Sequence, residues 1–120
     1  MNQLITSSLL LLILDGIFIY TISDMFKQQI MSVQGSPMKV NMMGAILCYL
    51  FLIGGLNYFI LKPRRSVMDA FILGIVIYGV YETTTYALLK KWSIRTVMTD
   101  TLWGGILFAL TTYLTYKLRS

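Results

Sequence analysis

Four stretches almost free of charge, residues 4–22, 41–61, 67–89 and 97–116, account for most of the chain. A helix rises about 1.5 Å per residue, so each stretch is long enough to cross a hydrocarbon layer about 30 Å thick. A soluble bundle of the same helices would need a charged face recurring every 3.6 residues, and the sequence has none. Composition agrees: 57% of the 120 residues are hydrophobic and 12% are charged, against about a quarter charged in an ordinary soluble domain. The sequence therefore predicts an all-α integral membrane protein. Its four helices are expected to form an up-down-up-down bundle, with residues 1–120 as a single transmembrane domain in a multi-pass topology.

No basic residue precedes the first stretch and no A-x-A site follows it, so it is expected to remain as a span rather than be removed as a signal. Histidine is absent and Cys48 is the sole cysteine. The usual general base, the commonest metal ligand and any intrachain disulfide are thereby excluded. The net charge of +5 comes from cations in short connections beside the apolar stretches. Such cations suit anionic lipid headgroups, so the expected partner is the lipid bilayer and not nucleic acid. Neither a phosphate-binding loop nor a nucleophile triad is visible, and the oxygen ligands are too few for a dedicated cation cage. No metal, cofactor or catalytic residue is predicted.

An even number of spans puts both termini on one side, here side A, and the first and third connections on side B. Side A carries Lys62, Arg64, Arg65, Lys117 and Arg119; side B carries Lys27, Lys39, Lys90, Lys91 and Arg95. Lys and Arg ordinarily decide orientation, and here they balance. Either hydrophobicity or a partner fixes the topology, or the chain inserts both ways as an antiparallel dimer. Tyr58, Trp92, Trp103, Tyr113 and Tyr116 near segment ends fit interfacial anchoring. The long first connection, residues 23–40, predicts a helix extension followed by a turn at Gly35-Ser36-Pro37. The other two connections are tight and bring neighbouring helices into antiparallel contact.

The five acidic residues differ in depth. Asp24 falls in the first connection, where water reaches it. Asp69 follows Ser66 by three, the S-x-x-D pattern of a helix cap. Asp100 is expected within about the first turn of the fourth helix after Thr96, as a cap or as a site. Asp15 lies about 16 Å into the first span and Glu82 about 22 Å into the third, both toward side B. A carboxylate at such depth costs about 2.5–3.5 kcal/mol and must face other helices, water or a cation. Helical spacing aligns Gly74, Tyr78, Tyr81, Glu82 and Thr85 on the third helix. It likewise aligns Asp100, Gly104, Thr111 and Thr115 on the fourth, and Ser8 and Asp15 with Phe18 on the first. Gly44, Cys48 and Gly55 mark a side of the second helix suited to close approach. Turned inward, these stripes predict a polar pocket nearer side B, centred on Asp15 and Glu82, roofed by Trp92 or Trp103 and bordered by Lys90, Lys91 and Arg95.

Leu14-Asp15, Asp69-Ala70-Phe71 with Leu73-Gly74, Tyr78-Gly79-Val80-Tyr81-Glu82 and Asp100-x-x-Trp103-Gly104 together resemble the DUF2177 family of small membrane proteins across nearly the whole chain. The family's third helix carries Y-D-L-T-N-x-A-T, followed by a tryptophan and then T-x-x-D-x-x-W-G. Here the corresponding residues are Tyr81-Glu82-Thr83-Thr84-Thr85-Tyr86-Ala87-Leu88, then Trp92, then Thr96 or Thr99, Asp100, Trp103 and Gly104. Glu82 replaces aspartate, Thr85 replaces asparagine, and Phe18 replaces a tryptophan that often follows the first-helix acid. The resemblance implies a four-helix fold and a polar signature, without an activity to carry over.

The candidate ligand- or ion-binding residues are Asp15, Tyr78, Tyr81, Glu82, Thr84, Thr85, Asp100, Trp103 and Gly104. Three functions compete. Buried acids suit proton- or cation-coupled transport of a small solute, for which four helices are too few alone and a homo-oligomer is expected. The same acids with Tyr78, Tyr81 and Trp103 suit a lipid- or sterol-like ligand site or an isomerase. A membrane scaffold, finally, would use the polar residues only to specify packing.

Overall fold

A computed structural model describes residues 2–35, 42–89 and 91–119, and among them every regular element is helical. Helix α1 spans Gln3–Gln34, α2 Met42–Leu56, α3 Val67–Leu88 and α4 Ile94–Arg119. Helices α1, α3 and α4 start where a side chain accepts from their free N–H groups. Asn2 accepts from Leu4 N at 2.6 Å, Ser66 from Asp69 N at 3.0 Å and Ser93 from Thr96 N at 3.1 Å. The Ser66–Asp69 cap is the one the sequence predicts, and an Arg65–Asp69 ion pair at 3.1 Å holds it from outside. On α4 the cap is Ser93 rather than Thr96, so Asp100 sits about two turns into the helix and is free for another role.

Helix α1 is 32 residues long, about 48 Å, and so overruns a bilayer core by several turns. This is the expected extension; it ends at Gly35, whose φ of 71° closes the helix with a left-handed cap donating to Met31 O. The expected turn at Ser36-Pro37, and Lys39 and Lys90 with it, lie outside the described residues.

Helix α2 ends differently, widening into a π-helical turn over Asn57–Leu61. Arg64 then adopts φ 59°, with Arg64 N donating to Leu61 O and Arg65 N to Ile60 O. This bond pattern is that of a Schellman cap, with arginine where glycine is usual. Arg64 lies over the Tyr116 ring at 4.7 Å, and the Tyr116 hydroxyl donates to Arg65 O at 2.6 Å. Tyr116 thus ties the end of α4 to the turn between α2 and α3, rather than serving as a free interfacial anchor.

Helix α4 lies along α3 and also packs against α1, while α2 rests mainly on α1. The close crossing is between α3 and α4. A Cβ on Gly74 would stand 2.2 Å from Gly104 O, and one on Gly104 would stand 2.2 Å from the Tyr78 ring. Only glycine lets the two backbones come so near. The small residues of α2 behave otherwise: Gly44 and Cys48 are exposed, and nothing lies within 4 Å of a Cβ built on Gly54 or Gly55. Leu52, Leu56, Ile60 and Leu61 are instead its inward face, meeting Leu11, Ala70, Leu107 and Phe108 in the core. On α1, Ser7 is buried in place of Ser8, which folds back onto Leu4 O.

Among the described residues three helical segments are long and apolar enough to cross a membrane: Gln3–Met25, Met42–Leu61 and Val67–Leu88. Helix α4 is long enough but richer in threonine, and Thr96, Thr111, Thr112 and Thr115 are buried against its neighbours. The exterior, by contrast, is crowded with exposed Leu, Ile, Met and Phe side chains.

Candidate functional site

Asp15 lies on the inward stripe of α1, one turn beyond buried Leu11. One oxygen of its carboxylate accepts from the Tyr49 hydroxyl of α2 at 2.5 Å, and the other accepts from the Trp103 indole of α4 at 3.0 Å. Phe18, one turn along α1, stacks on Trp103 with ring centroids 4.3 Å apart and planes 7° from parallel. Three helices are therefore keyed to one carboxylate. Trp103 is half-buried with its N–H on a buried acceptor, and Trp92 is 4% exposed. Both indole N–H groups meet carboxylates, Trp103 that of Asp15 and Trp92 that of Glu82.

Beside Asp15 a cavity of about 540 Å³ opens between the helices. Its walls are Phe18, Ile19 and Ile22 of α1; Ala45, Cys48, Tyr49, Phe51 and Leu52 of α2; Ile77, Tyr78 and Tyr81 of α3; and Asp100 of α4. Asp15 and Asp100 supply its carboxylates. Lys91 and Arg95, expected at the border, are exposed and do not line it.

Glu82 does not line the cavity either, so Asp15 and Glu82 are not the central pair that depth alone suggests. Gly74, Tyr78 and Glu82 recur every four residues on the face of α3 that the Gly74–Gly104 contact presses against α4. Glu82 is consequently fully buried behind Asp100, near enough for the two carboxyls to interact. Its Oε1 accepts from the Trp92 indole at 2.8 Å. The acids thus form a row, Asp15 and Asp100 on the cavity and Glu82 behind.

The remaining candidates divide. Tyr78 and Tyr81 line the cavity, and Gly104 backs the Tyr78 ring. Thr84 is exposed, and Thr85 donates to its own helix at Tyr81 O, 2.8 Å away; neither lines the cavity.

Two positions that hold the candidate site together escape sequence reasoning. Tyr49 is hidden among the apolar residues of α2, where only its hydroxyl distinguishes it. Gln29 belongs to the overhang of α1. Its amide donates to Lys91 O at 2.6 Å and accepts from Ser93 N at 2.9 Å and the Thr96 hydroxyl at 3.0 Å. It thus grips the α3–α4 connection on both sides of Trp92 and holds that indole over Glu82. A run of Gln residues after an apolar span is a signal for such a contact only once the helix is known to continue.

Among the described residues no three His, Cys, Asp or Glu side chains gather closely enough to hold a metal ion. No curated protein and no solved structure matches the chain. A family model described as "Predicted membrane protein (DUF2177)" matches residues 1–117, nearly the full length and the same span over which the acids and tryptophans above are distributed. The chain belongs to the DUF2177 family of predicted membrane proteins.

Proposed function

We propose that the protein is a multi-pass membrane protein whose four helices run up-down-up-down as one transmembrane domain. In this reading it binds a small cation or cationic solute at the Asp15–Asp100 cavity as part of proton- or cation-coupled transport. The observation that carries the proposal is the placement of two carboxylates from different helices on one cavity whose walls are otherwise aromatic, aliphatic or weakly polar. Anions in so apolar a setting favour a cation strongly, because little water competes for them. Three tyrosines also line the cavity, and aromatic rings suit a cationic guest. Buried carboxylates also exchange protons readily, which is the usual basis of coupling across membranes.

The fourth span follows from its surroundings: the buried threonines of α4 and its Asp100 are turned toward other helices, so lipid need not solvate them. Translocation by so small a chain calls for a homo-oligomer, with the bilayer as its constant partner.

A second reading is favoured by one observation, that both oxygens of Asp15 already accept hydrogen bonds. A purely structural network would look the same. Flux measurements in liposomes separate the two. Transport predicts cation-driven or proton-driven flux by the wild type and its loss in Asp15→Asn, with both proteins eluting identically in detergent. Equal behaviour of the two in cells, with no flux from either, would leave the scaffold reading.

A further inference from the structure

Resting on the cation-binding reading, we infer that the ligand is an amphiphilic organic cation that enters the cavity sideways from the bilayer, between α2 and α3. Packing in this molecule is uneven. Helix α4 holds both α3 and α1, whereas α2 converges on the core through Leu52 and Leu56, with Ile60 beyond its end, and scarcely approaches α3. Nearer its start, α2 therefore stands off and leaves the cavity as a wedge. The residues at the open side are cavity-lining and exposed at once: Phe51 is 77% exposed, Tyr81 58% and Ile19 49%, and Cys48 is exposed as well. Asp15, by contrast, is 6% exposed at the inner wall.

Depth decides what such an opening faces. Cys48 and Phe51 lie about 9 Å and 14 Å along α2 from its first residue, and Tyr81 lies about 21 Å along α3, all within a hydrocarbon layer of about 30 Å. The opening therefore meets acyl chains rather than water. A hydrated inorganic ion cannot arrive by that route, because it would shed its water into oil. A molecule already dissolved in the bilayer can. Its apolar body finds Ile77, Phe51 and Leu52, and its charge finds Asp15 and Asp100. The volume of about 540 Å³ lies in the range of sites for drug-sized molecules. The cavity itself sets this apart from a mere acidic cluster: it encloses Asp15 at its inner wall and carries apolar surface beside the charge.

Cys48, the sole cysteine, lines the wedge and serves as a native reporter. In liposomes, a lipid-soluble maleimide is expected to modify Cys48, and a charged membrane-impermeant thiosulfonate to leave it intact. Dodecyltrimethylammonium should slow the maleimide by about tenfold, while tetramethylammonium at the same concentration should not slow it. In Asp15→Asn, labelling should proceed with or without the long-chain cation, and Asp100→Asn takes its place if the first variant fails to elute as folded protein. Equal protection by tetramethylammonium, dependent on Asp15, would overturn the lateral route while leaving the cation site standing. Rapid labelling by the impermeant reagent would likewise overturn it. Protection by neither cation would remove both the route and the cation-binding reading, and protection that persists without the carboxylate would remove the role of charge.

Discussion

Asp15 draws one donor from each of two other helices, so its partners can be removed singly without touching the acid. Tyr49→Phe and Trp103→Phe each delete one hydrogen bond to it. Hydrogen bonds between membrane helices average near 0.6 kcal/mol and reach about 1.7. Each substitution is therefore expected to destabilise by about 0.5–1.5 kcal/mol in detergent unfolding, the tryptophan by more because the stacking with Phe18 goes too. In an Asp15→Ala background the Tyr49→Phe cost should largely vanish, because its partner is already gone; equal costs in both backgrounds would mean the bond is not made. Gln29 is a second residue to test, and Trp92 reports on it. With Trp103 replaced by Phe, Trp92 is the one tryptophan left of two. Gln29→Ala should then shift its emission to the red and expose it to iodide, because the connection on both sides of it is no longer held. Unchanged emission would mean that Gln29 does not seat the indole. The depth of Asp15 was legible in the sequence because position along a span is simple arithmetic. Tyr49 was not, since which face of α2 turns inward depends on how the helix is rotated, and of its stripe of small residues Cys48 reaches the cavity while Gly55 makes no close helix contact.

At the scale of elements, the contrast between glycines gives a direct test of which helices meet. Gly74→Val places methyl groups where Gly104 O lies 2.2 Å from the Cβ alone, and this obstacle is backbone and cannot swing aside. The variant is expected to lose at least about 1–3 kcal/mol, with α3 and α4 forced apart. Gly54→Ala and Gly55→Ala meet nothing within 4 Å, so they should be neutral or stabilising by up to about 1 kcal/mol through helix propensity. Thermal aggregation of the three proteins in one detergent would rank them, and a Gly74→Val protein as stable as wild type would refute the crossing. The four helices were legible from hydropathy, as was the continuation of α1 past its apolar span. What hydropathy hid was the unequal setting of the helices. Helix α4 is the least apolar because it is the most enclosed, with Leu107, Phe108, Thr111, Thr112 and Thr115 all buried. A helix that meets protein on most sides can carry hydroxyls that a lipid-facing helix could not. The same enclosure explains why Glu82 lies behind Asp100: it continues the Gly74 face of α3 against α4, while Tyr78 of that face still reaches the cavity.

The described molecule measures 48 × 24 × 22 Å, longer than a bilayer core is thick, and the excess belongs to α1, whose overhang lies on side B in the proposed topology. That overhang makes the ends unlike in shape although their charges balance. Side A ends in a compact corner where Arg64 and Tyr116 lock the turn, and side B ends in the long helix gripped through Gln29. Shape does not orient a chain during insertion, whereas lysine and arginine near span ends do. With five cations at each end, a change of two should therefore decide the matter. Lys90→Gln with Lys91→Gln leaves three on side B against five on side A, and the variant should place its termini predominantly in the cytoplasm. Lys117→Gln with Arg119→Gln reverses the imbalance and should send the termini outward. Paired carboxy-terminal reporters, one active only in the cytoplasm and one only outside it, read the two populations directly. Opposite responses from the two variants would show that the balanced charges leave wild-type orientation poised. A single orientation shared by all three proteins would show instead that the apolar lengths of the spans fix it, with the cations serving only the headgroups.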